Sequence, residues 1–381
     1  MAENLGAARP LLSGLTGIRA IAAGWVVLDH FSKTLFGLFP TTEVAAPWIH
    51  GGFLGVEVFF ILSGFIIAYQ YADRFSTFSG SQYRKFAALR FARIYPVHLV
   101  TLLFVAAIAV VSSVVGLRLN LAEGFTPSNF LANLAMLQAI PPFEGFNGPA
   151  WSICAEFAAY LAFPALALAL AGIRTPSKAF LTSAAVSLVG VASMLLVLPL
   201  VGASSTSYPL MWLRIATEFT VGCFLFAGWR LLGDRRFGAG WDVAACVSSA
   251  GVGAVLWVTD GTAYAIASIP LIAVFVLSCA GATGPVGGFL ASKPMIWFGR
   301  ISYSVYMTHY ILLLMLGKAL PWDRFEANLM LSLGYILACA VGVIAAGAAM
   351  FYLVEEPGRH LIRRLAERLP VERPKEPSAA K

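Results

Sequence analysis

Ten apolar runs, near 18–37, 53–71, 94–115, 151–171, 179–201, 209–230, 242–258, 263–281, 295–317 and 329–353, constrain this chain more than any motif in it. Each is long enough to cross about 30 Å of hydrocarbon as a helix. Lipid offers no water to free backbone groups, so spans of this kind are helices. Of 381 residues only 12% are charged and 59% are hydrophobic, against roughly 25% charged in a soluble domain. A water-soluble fold is excluded. The expected fold class is all-α, a polytopic membrane bundle of about ten transmembrane helices. A shorter piece, Ser128 to Ile140, ends at Pro141-Pro142 and is read as a re-entrant helix lining the protein interior. The first run carries an Arg and a His and has no small-residue cleavage site after it, so it reads as a span and not a signal peptide. The five cysteines, Cys154, Cys223, Cys246, Cys279 and Cys339, all fall in apolar stretches without metal spacing and read as buried thiols.

Charge sorts between the two sides of such a bundle. Lys and Arg outnumber Asp and Glu by 26 to 19, for a net charge of +7. With the N-terminus in the cytoplasm, 21 of the 26 basic residues fall on the cytoplasmic side, leaving Lys33, Arg118, Arg214, Lys318 and Arg324. The positive-inside rule then predicts both termini inside. A full crossing by the short helix would invert every later loop and put the Arg230 to Arg236 cluster outside, so ten spans is the consistent count. The basic excess speaks to topology and not to nucleic acid. No internal repeat is visible. Residues 1–369 read as one integral membrane domain, and 370–381, with Pro and charge but no apolar face, as a disordered cytoplasmic tail.

Ionisable groups within spans are costly and usually face a cavity. Arg19 and His30 share the first span, and eleven residues at 100° each bring them to within about 20° of one stripe, about 16 Å apart along the axis. Both can point into one interior channel, Arg19 as an anion grip near the cytoplasmic end and His30 as a proton-handling group deeper in. Arg90 and Arg93, three apart, stand at the cytoplasmic mouth of the third span and would join Arg19 in a basic pocket; without a motif around them they would read as topological anchors. Glu57 and Glu156 lie near the outer ends of their helices, as acceptor contacts, as carboxylates orienting an imidazole, or as surface groups without function. Ser63-Gly64 would allow close helix approach. Trp151-Ser152 opens the span that carries Glu156. Ser302, Tyr306 and His309 share one helix face, and His309 lies about as deep as His30, so two imidazoles would share a level. Asp29 adjoins His30 but lies about 100° around the helix from it, which argues against it as the orienting partner.

Six segments in order, Arg19 with His30, Gly55-Val56-Glu57-Val58-Phe59-Phe60-Ile61-Leu62-Ser63-Gly64-Phe65, Arg90-Phe91-Ala92-Arg93-Ile94-Tyr95-Pro96, Trp151-Ser152-Ile153-Cys154-Ala155-Glu156, Ser302-Tyr303-Ser304 with His309, and Val354-Glu355-Glu356-Pro357, resemble the acyltransferase 3 family. The resemblance runs from about Leu12 to Arg359. It implies an integral membrane enzyme that moves an acyl group, commonly acetyl, from cytoplasmic acyl-CoA to a hydroxyl of a sugar or other acceptor, with Arg19, His30, Arg90 and Arg93 at the family's functional positions. It also implies bacterial glycan modification at the inner membrane, while related proteins act on antibiotics and other small molecules. Many relatives carry a C-terminal hydrolase-like domain, which this sequence is expected to lack. No metal and no permanently bound cofactor are expected; acyl-CoA enters as a substrate, and the bilayer and the acceptor are the remaining partners.

Acyl transfer from a thioester requires removal of the acceptor proton, positioning of the carbonyl and stabilisation of an oxyanion. The expected assignments are His30, Glu156 and His309 for the chemistry, Arg19, Arg90 and Arg93 for the donor phosphates, and Glu57, Trp151, Ser152, Ser302 and Tyr306 for acceptor contacts or orientation. Direct base catalysis by His30 is preferred to a transient acyl-histidine. The rival is a transporter or flippase of an anionic or acylated solute, since buried Arg and His suit a proton-coupled permease too. Against it, the chain lacks the paired halves common in transporters.

Overall fold

The computed structural model describes residues 12–75, 77–115, 125–202, 204, 206–233, 238–326 and 328–367. The expected tail 370–381, and Arg9, Arg118, Arg235, Arg236 and Arg368 used in the charge count, lie outside them. Among the described residues fifteen α-helices follow in order: α1 Ser13–His30, α2 Ser32–Leu38, α3 Ala46–His50, α4 Leu54–Tyr71, α5 Gly80–Val115, α6 Pro127–Leu134, α7 Trp151–Ala171, α8 Pro176–Val197, α9 Tyr208–Leu232, α10 Gly240–Val258, α11 Ile269–Gly281, α12 Pro285–Leu290, α13 Lys293–Ala319, α14 Leu329–Met350 and α15 Glu356–Glu367. Among the described residues, eight helical segments are long and apolar enough to cross a membrane. The other two of the ten expected spans, α1 and α13, form long helices but are not among the eight. These two carry Arg19, Asp29 and His30, and Arg300 and His309; the polar residues that dilute their hydropathy are the informative ones.

Helices α4 and α9 form the centre, with 78% of their most apolar windows buried, against 22% for α8 and for the segment containing α14. The outer helices therefore present apolar side chains such as Leu188, Leu196 and Leu337 to the surroundings, as a lipid-facing layer does. Without a hydrophobic drive in lipid, close packing holds such helices together. The sequence expectation at Ser63-Gly64 is met here: a Cβ on Gly64 would strike the Phe219 carbonyl, and one on Gly222 would strike the Ile61 carbonyl. The two backbones are packed through reciprocal glycines. Around this pair, α1 packs on α4 and α13, α13 on α14, and α7 on α9.

Three boundaries differ from expectation. The first span ends at His30: Phe31 breaks the helix, its N–H donating to the carbonyls of Val27 and Leu28, and α2 restarts at Ser32. Helix α5 starts at Gly80 and not near 94, because the preceding Gln, Lys, Ala, Leu and Arg residues are polar in part yet good helix formers. Hydropathy marks immersion, not where winding begins. The short helix stops at Leu134, with Met136 at φ 57°, and the chain then runs irregularly to Ala150. That stretch is tied down by side-chain amides: Asn133 donates to the Glu144 carbonyl at 2.7 Å, Gln138 to Ala150 at 2.7 Å and Asn147 to Met307 at 2.8 Å. Irregular backbone at such a place survives because its polar groups are satisfied internally. Of the cysteines, Cys246 is exposed, on the outer helix α10, and the other four are buried.

Gly64→Val forces a branched side chain into the α4–α9 contact and is expected to cost at least about 1–3 kcal/mol. A thermal melt of the purified protein should show a lower Tm, while Gly24→Ala, with open space around it, should melt like wild type.

Candidate active site

Two polar layers lie on α1, one toward each end. At its last residue, His30 Nδ1 is 3.3 Å from His309 Nε2, the ring centroids 5.0 Å apart in an edge arrangement. Both expected imidazoles thus meet, across the contact between α1 and α13. Their backbone partners set the tautomers. A carbonyl only accepts, so His309 Nδ1 donates to the Tyr306 carbonyl at 2.6 Å, and His30 Nδ1 donates to the Val26 carbonyl at 2.9 Å. His309 Nε2 is then left as an acceptor for the same His30 Nδ1–H, and the free lone pair of His30 is on Nε2. His309 is fully buried, whereas His30 is exposed to a cavity of about 630 Å³. That cavity lies between α1, the loop before α7, and α9, and Trp151, Tyr306, Tyr310, Tyr208 and Arg214 contribute to its wall.

Trp151, Ser152 and Tyr306 stand together as expected. The Ser152 and Tyr306 hydroxyls are 2.9 Å apart, and both lie within reach of the Pro149 carbonyl, at 2.9 and 3.2 Å, so that one donates to the carbonyl and the other to its neighbour's oxygen. Trp151 lies under the Arg214 guanidinium, 4.9 Å from its ring centroid. Ser302 takes no part, because its hydroxyl donates to the carbonyl of Gly299 one turn back on its own helix. Asp29 turns to His50, 3.5 Å away, in keeping with its angular separation from His30.

The expectation for Glu57 needs correcting. Its carboxylate is buried and bound by Arg214, with Nε and Nη2 donating to Oε2 at 3.1 and 2.8 Å and Nη2 also 2.8 Å from Oε1. It neither orients an imidazole nor lines the cavity; Arg214 does the latter. Glu218, also buried, interacts with both. Sequence reading passed over Arg214 as an exception to the charge rule and did not register Glu218. The signal was available: Arg214 and Glu218, four apart in an apolar run, are intramembrane charges on one helix face.

Toward the other end of α1, Arg19 lies in electrostatic reach of Glu156, Tyr160, Arg93 and Arg359. Glu156 accepts hydrogen bonds from Ser63 at 2.6 Å and from Tyr160. It therefore belongs with the arginines and not with the imidazoles. Arg90 donates to the Tyr71 hydroxyl at 3.0 Å and lies over the Tyr71 ring, 5.1 Å from its centroid. Arg93 pairs with the buried Glu355 and lies 5.4 Å from the Tyr303 centroid. Glu355, in the closing Glu-Glu-Pro segment, also accepts from Ser304 at 2.7 Å. The three arginines of the sequence expectation are thus gathered at one end of the bundle. Arg19 does not line the 630 Å³ cavity, nor a second one of about 170 Å³ beside His30.

With this geometry in hand, comparison with known proteins is direct. Residues 12–351 match a family model described as an acyltransferase domain. The chain is 30% identical to acyltransferase MdmB of Streptomyces mycarofaciens over 391 residues, covering 93% of each. It is 24% identical to O-acetyltransferase OatA of Staphylococcus aureus (strain NCTC 8325 / PS 47) over 322 residues, covering 78% of this chain and 50% of that protein. No solved structure matches. The chain belongs to the acyltransferase 3 family. It is a multi-pass membrane protein and an acyltransferase, which decides for the enzyme over the transporter.

Removing one partner of a buried ion pair strands the other. Arg214→Met should therefore destabilise the protein by about 3–5 kcal/mol, and Arg214→Met combined with Glu57→Leu by clearly less. Thermal unfolding of the two variants and wild type in one detergent checks the order.

Proposed function

We propose that the protein transfers an acyl group, acetyl in the first place, from a cytoplasmic coenzyme A thioester to a hydroxyl of a glycan or other sugar-bearing acceptor. It does so at the bacterial inner membrane with both termini inside. The observation that carries this reading is the pairing of an exposed imidazole, its Nδ1–H held by Val26 and the buried His309, with a cluster of arginines toward the opposite end of the same helix. The cavity before His30 falls within the roughly 300–1,000 Å³ of small-molecule sites, and its Trp and Tyr faces suit a sugar ring.

In this mechanism the acceptor hydroxyl gives its proton to His30 Nε2 as its oxygen attacks the thioester carbonyl carbon. The imidazolium that forms keeps its Nδ1–H on Val26 and on the acceptor nitrogen of His309. Positive charge on His30 strengthens both bonds, so they favour the transition state over the resting enzyme. As the tetrahedral oxyanion collapses, the carbon–sulfur bond breaks and the thiolate takes the proton back from Nε2. His309 is a positioning residue here. Arg19, Arg90 and Arg93 take the donor phosphates, and Glu156 with Ser63 and Tyr160 holds the arginine layer together.

The test is purified protein with acetyl-CoA and an extracted glycan, scored by thiol release and by an acetyl mass increment on the glycan. A panel of small hydroxylated glycosides serves as the second acceptor pool. His30→Ala should lower turnover by about 100- to 10,000-fold. His309→Ala should lower kcat by about 10- to 100-fold while leaving the acceptor KM near wild type, as loss of an orienting partner does. Undiminished acetyl transfer by His30→Ala would remove the histidine from the reaction.

A further inference from the structure

The C-terminal helix α15 lies beyond the residues matched to the family, and it packs against α5. The approach is close at Gly358: a Cβ there would sit 2.8 Å from Pro96 Cβ and 2.9 Å from its Cγ. Glycine at 358 lets α15 close onto the Pro96 ring, three residues after Arg93, and the next residue, Arg359, is thereby carried to the arginine layer. It lies within electrostatic reach of Arg19, Arg90 and Arg93. Arg300 is also a neighbour.

Among the described residues, charge in this layer does not balance from the protein side. Glu156 is taken by Ser63 and Tyr160, and Glu355 by Arg93 and Ser304. Glu356 is shared between Arg300 at 3.3 Å and Arg359 at 3.9 Å, the latter at the limit of an ion pair. Among the described residues Arg19, Arg90, Arg93, Arg300 and Arg359 thus face three carboxylates, and Arg363 adds a further positive charge beside Arg359. The Nε atoms of Arg19 and Arg90 are buried without a hydrogen-bond partner. Like charges gathered where water is scarce repel strongly, so the layer is built to receive an anion with more than one negative charge. Exposure is graded across it: the Arg93 side chain is 19% exposed and that of Arg359 is 38%. Arg300, 51% exposed and held to Glu356 at 3.3 Å, lies further out still, so a phosphate entering from the surface meets Arg300 and Arg359 before the inner arginines.

We propose that Arg359 is a donor-binding residue, completing a polyphosphate site with Arg19, Arg90 and Arg93 and taking the outermost phosphate of the thioester donor, the 3′-phosphate of coenzyme A. The assignment rests on the coenzyme A reading above. It follows the order of the donor itself: with the acyl end drawn toward His30, the diphosphate falls among the inner arginines and the 3′-phosphate at the rim. Guanidinium and phosphate form paired, charge-assisted hydrogen bonds.

The experiment compares acetyl-CoA with acetyl-3′-dephospho-CoA for wild type, Arg359→Gln and Arg359→Lys in nanodiscs, with folding checked by thermal melt. Wild type should show a donor KM about tenfold higher for the dephosphorylated thioester, the effect of one lost charge-assisted contact. Arg359→Gln should raise KM for acetyl-CoA about tenfold, raise it little further for the dephosphorylated donor, and change kcat less than KM; Arg359→Lys should recover part of the discrimination. Arg359→Gln with undiminished discrimination, or with an equal loss on both donors, would overturn the proposal. The measurements are repeated with phosphatidylcholine alone and with added phosphatidylglycerol. A defect confined to the anionic bilayer would make Arg359 a lipid-headgroup contact and would also overturn it. Wild-type protein that consumes neither thioester would defeat the donor reading itself, and is distinguished by that from a failure at Arg359 alone.

Discussion

A charge held among lipid-immersed helices must be given a partner, and that constraint organises this structure. Arg214 is balanced by Glu57, Arg93 by Glu355, and Glu156 by the hydroxyls of Ser63 and Tyr160. The Arg214–Glu57, Arg93–Glu355 and Glu156–Ser63 contacts join helices far apart in sequence, so these polar groups fix which helices are neighbours while glycine contacts such as Gly64 and Gly222 fix how near they come. One-sided loss of such a pair is costly, although the pair itself contributes little net stability. The polar core is therefore a specification of arrangement more than a source of stability, and it lets α1 and α13 carry ionisable groups that would exclude them from lipid alone.

Much of this was legible because a period of 3.6 residues converts spacing into facing. Arg19 and His30 on α1, and Tyr306 and His309 on α13, were expected on shared faces from angular arithmetic; His30 and His309 were expected at one level, and the two imidazoles do meet, whereas Arg19 does not line the cavity that His30 faces. Spans were legible because membrane crossing is a property of composition. What the sequence could not express was the partner of each charge. Glu57 looks like a carboxylate near a helix end until Arg214, 157 residues away, is found on it. Ser302 looks like part of the histidine face until its hydroxyl is seen to satisfy Gly299 on its own helix. Glu156, near the start of its span, reads as an outer group, yet its side chain joins the arginine layer. Helix spacing says which way a side chain leaves the backbone; it does not say which helix stands opposite.

Helix ends were the other weak point, for a related reason. The break at Phe31 and the early start of α5 leave no trace in hydropathy, because a helix may stop inside an apolar run or begin in a polar one. The break matters to the site. Termination at His30 places its ring at the end of α1, beside a cavity and with the Val26 carbonyl as hydrogen-bond partner.

The separation of the two polar layers has a chemical consequence on the proposed reading. A general base must stay neutral until it takes the acceptor proton, and a crowd of arginines beside His30 would oppose the imidazolium that then forms. Eleven residues of helix place the nearest of them, Arg19, about 16 Å along the axis, and the arginine layer is partly neutralised by Glu156, Glu355 and Glu356. Phosphate recognition can thus be strongly cationic at one end of α1 without penalising proton transfer at the other. The donor suits this division because its charged and reactive ends are joined by a long neutral arm. A compact acyl phosphate would bring its anion to the reacting carbon, and this arrangement would hold it in the wrong layer.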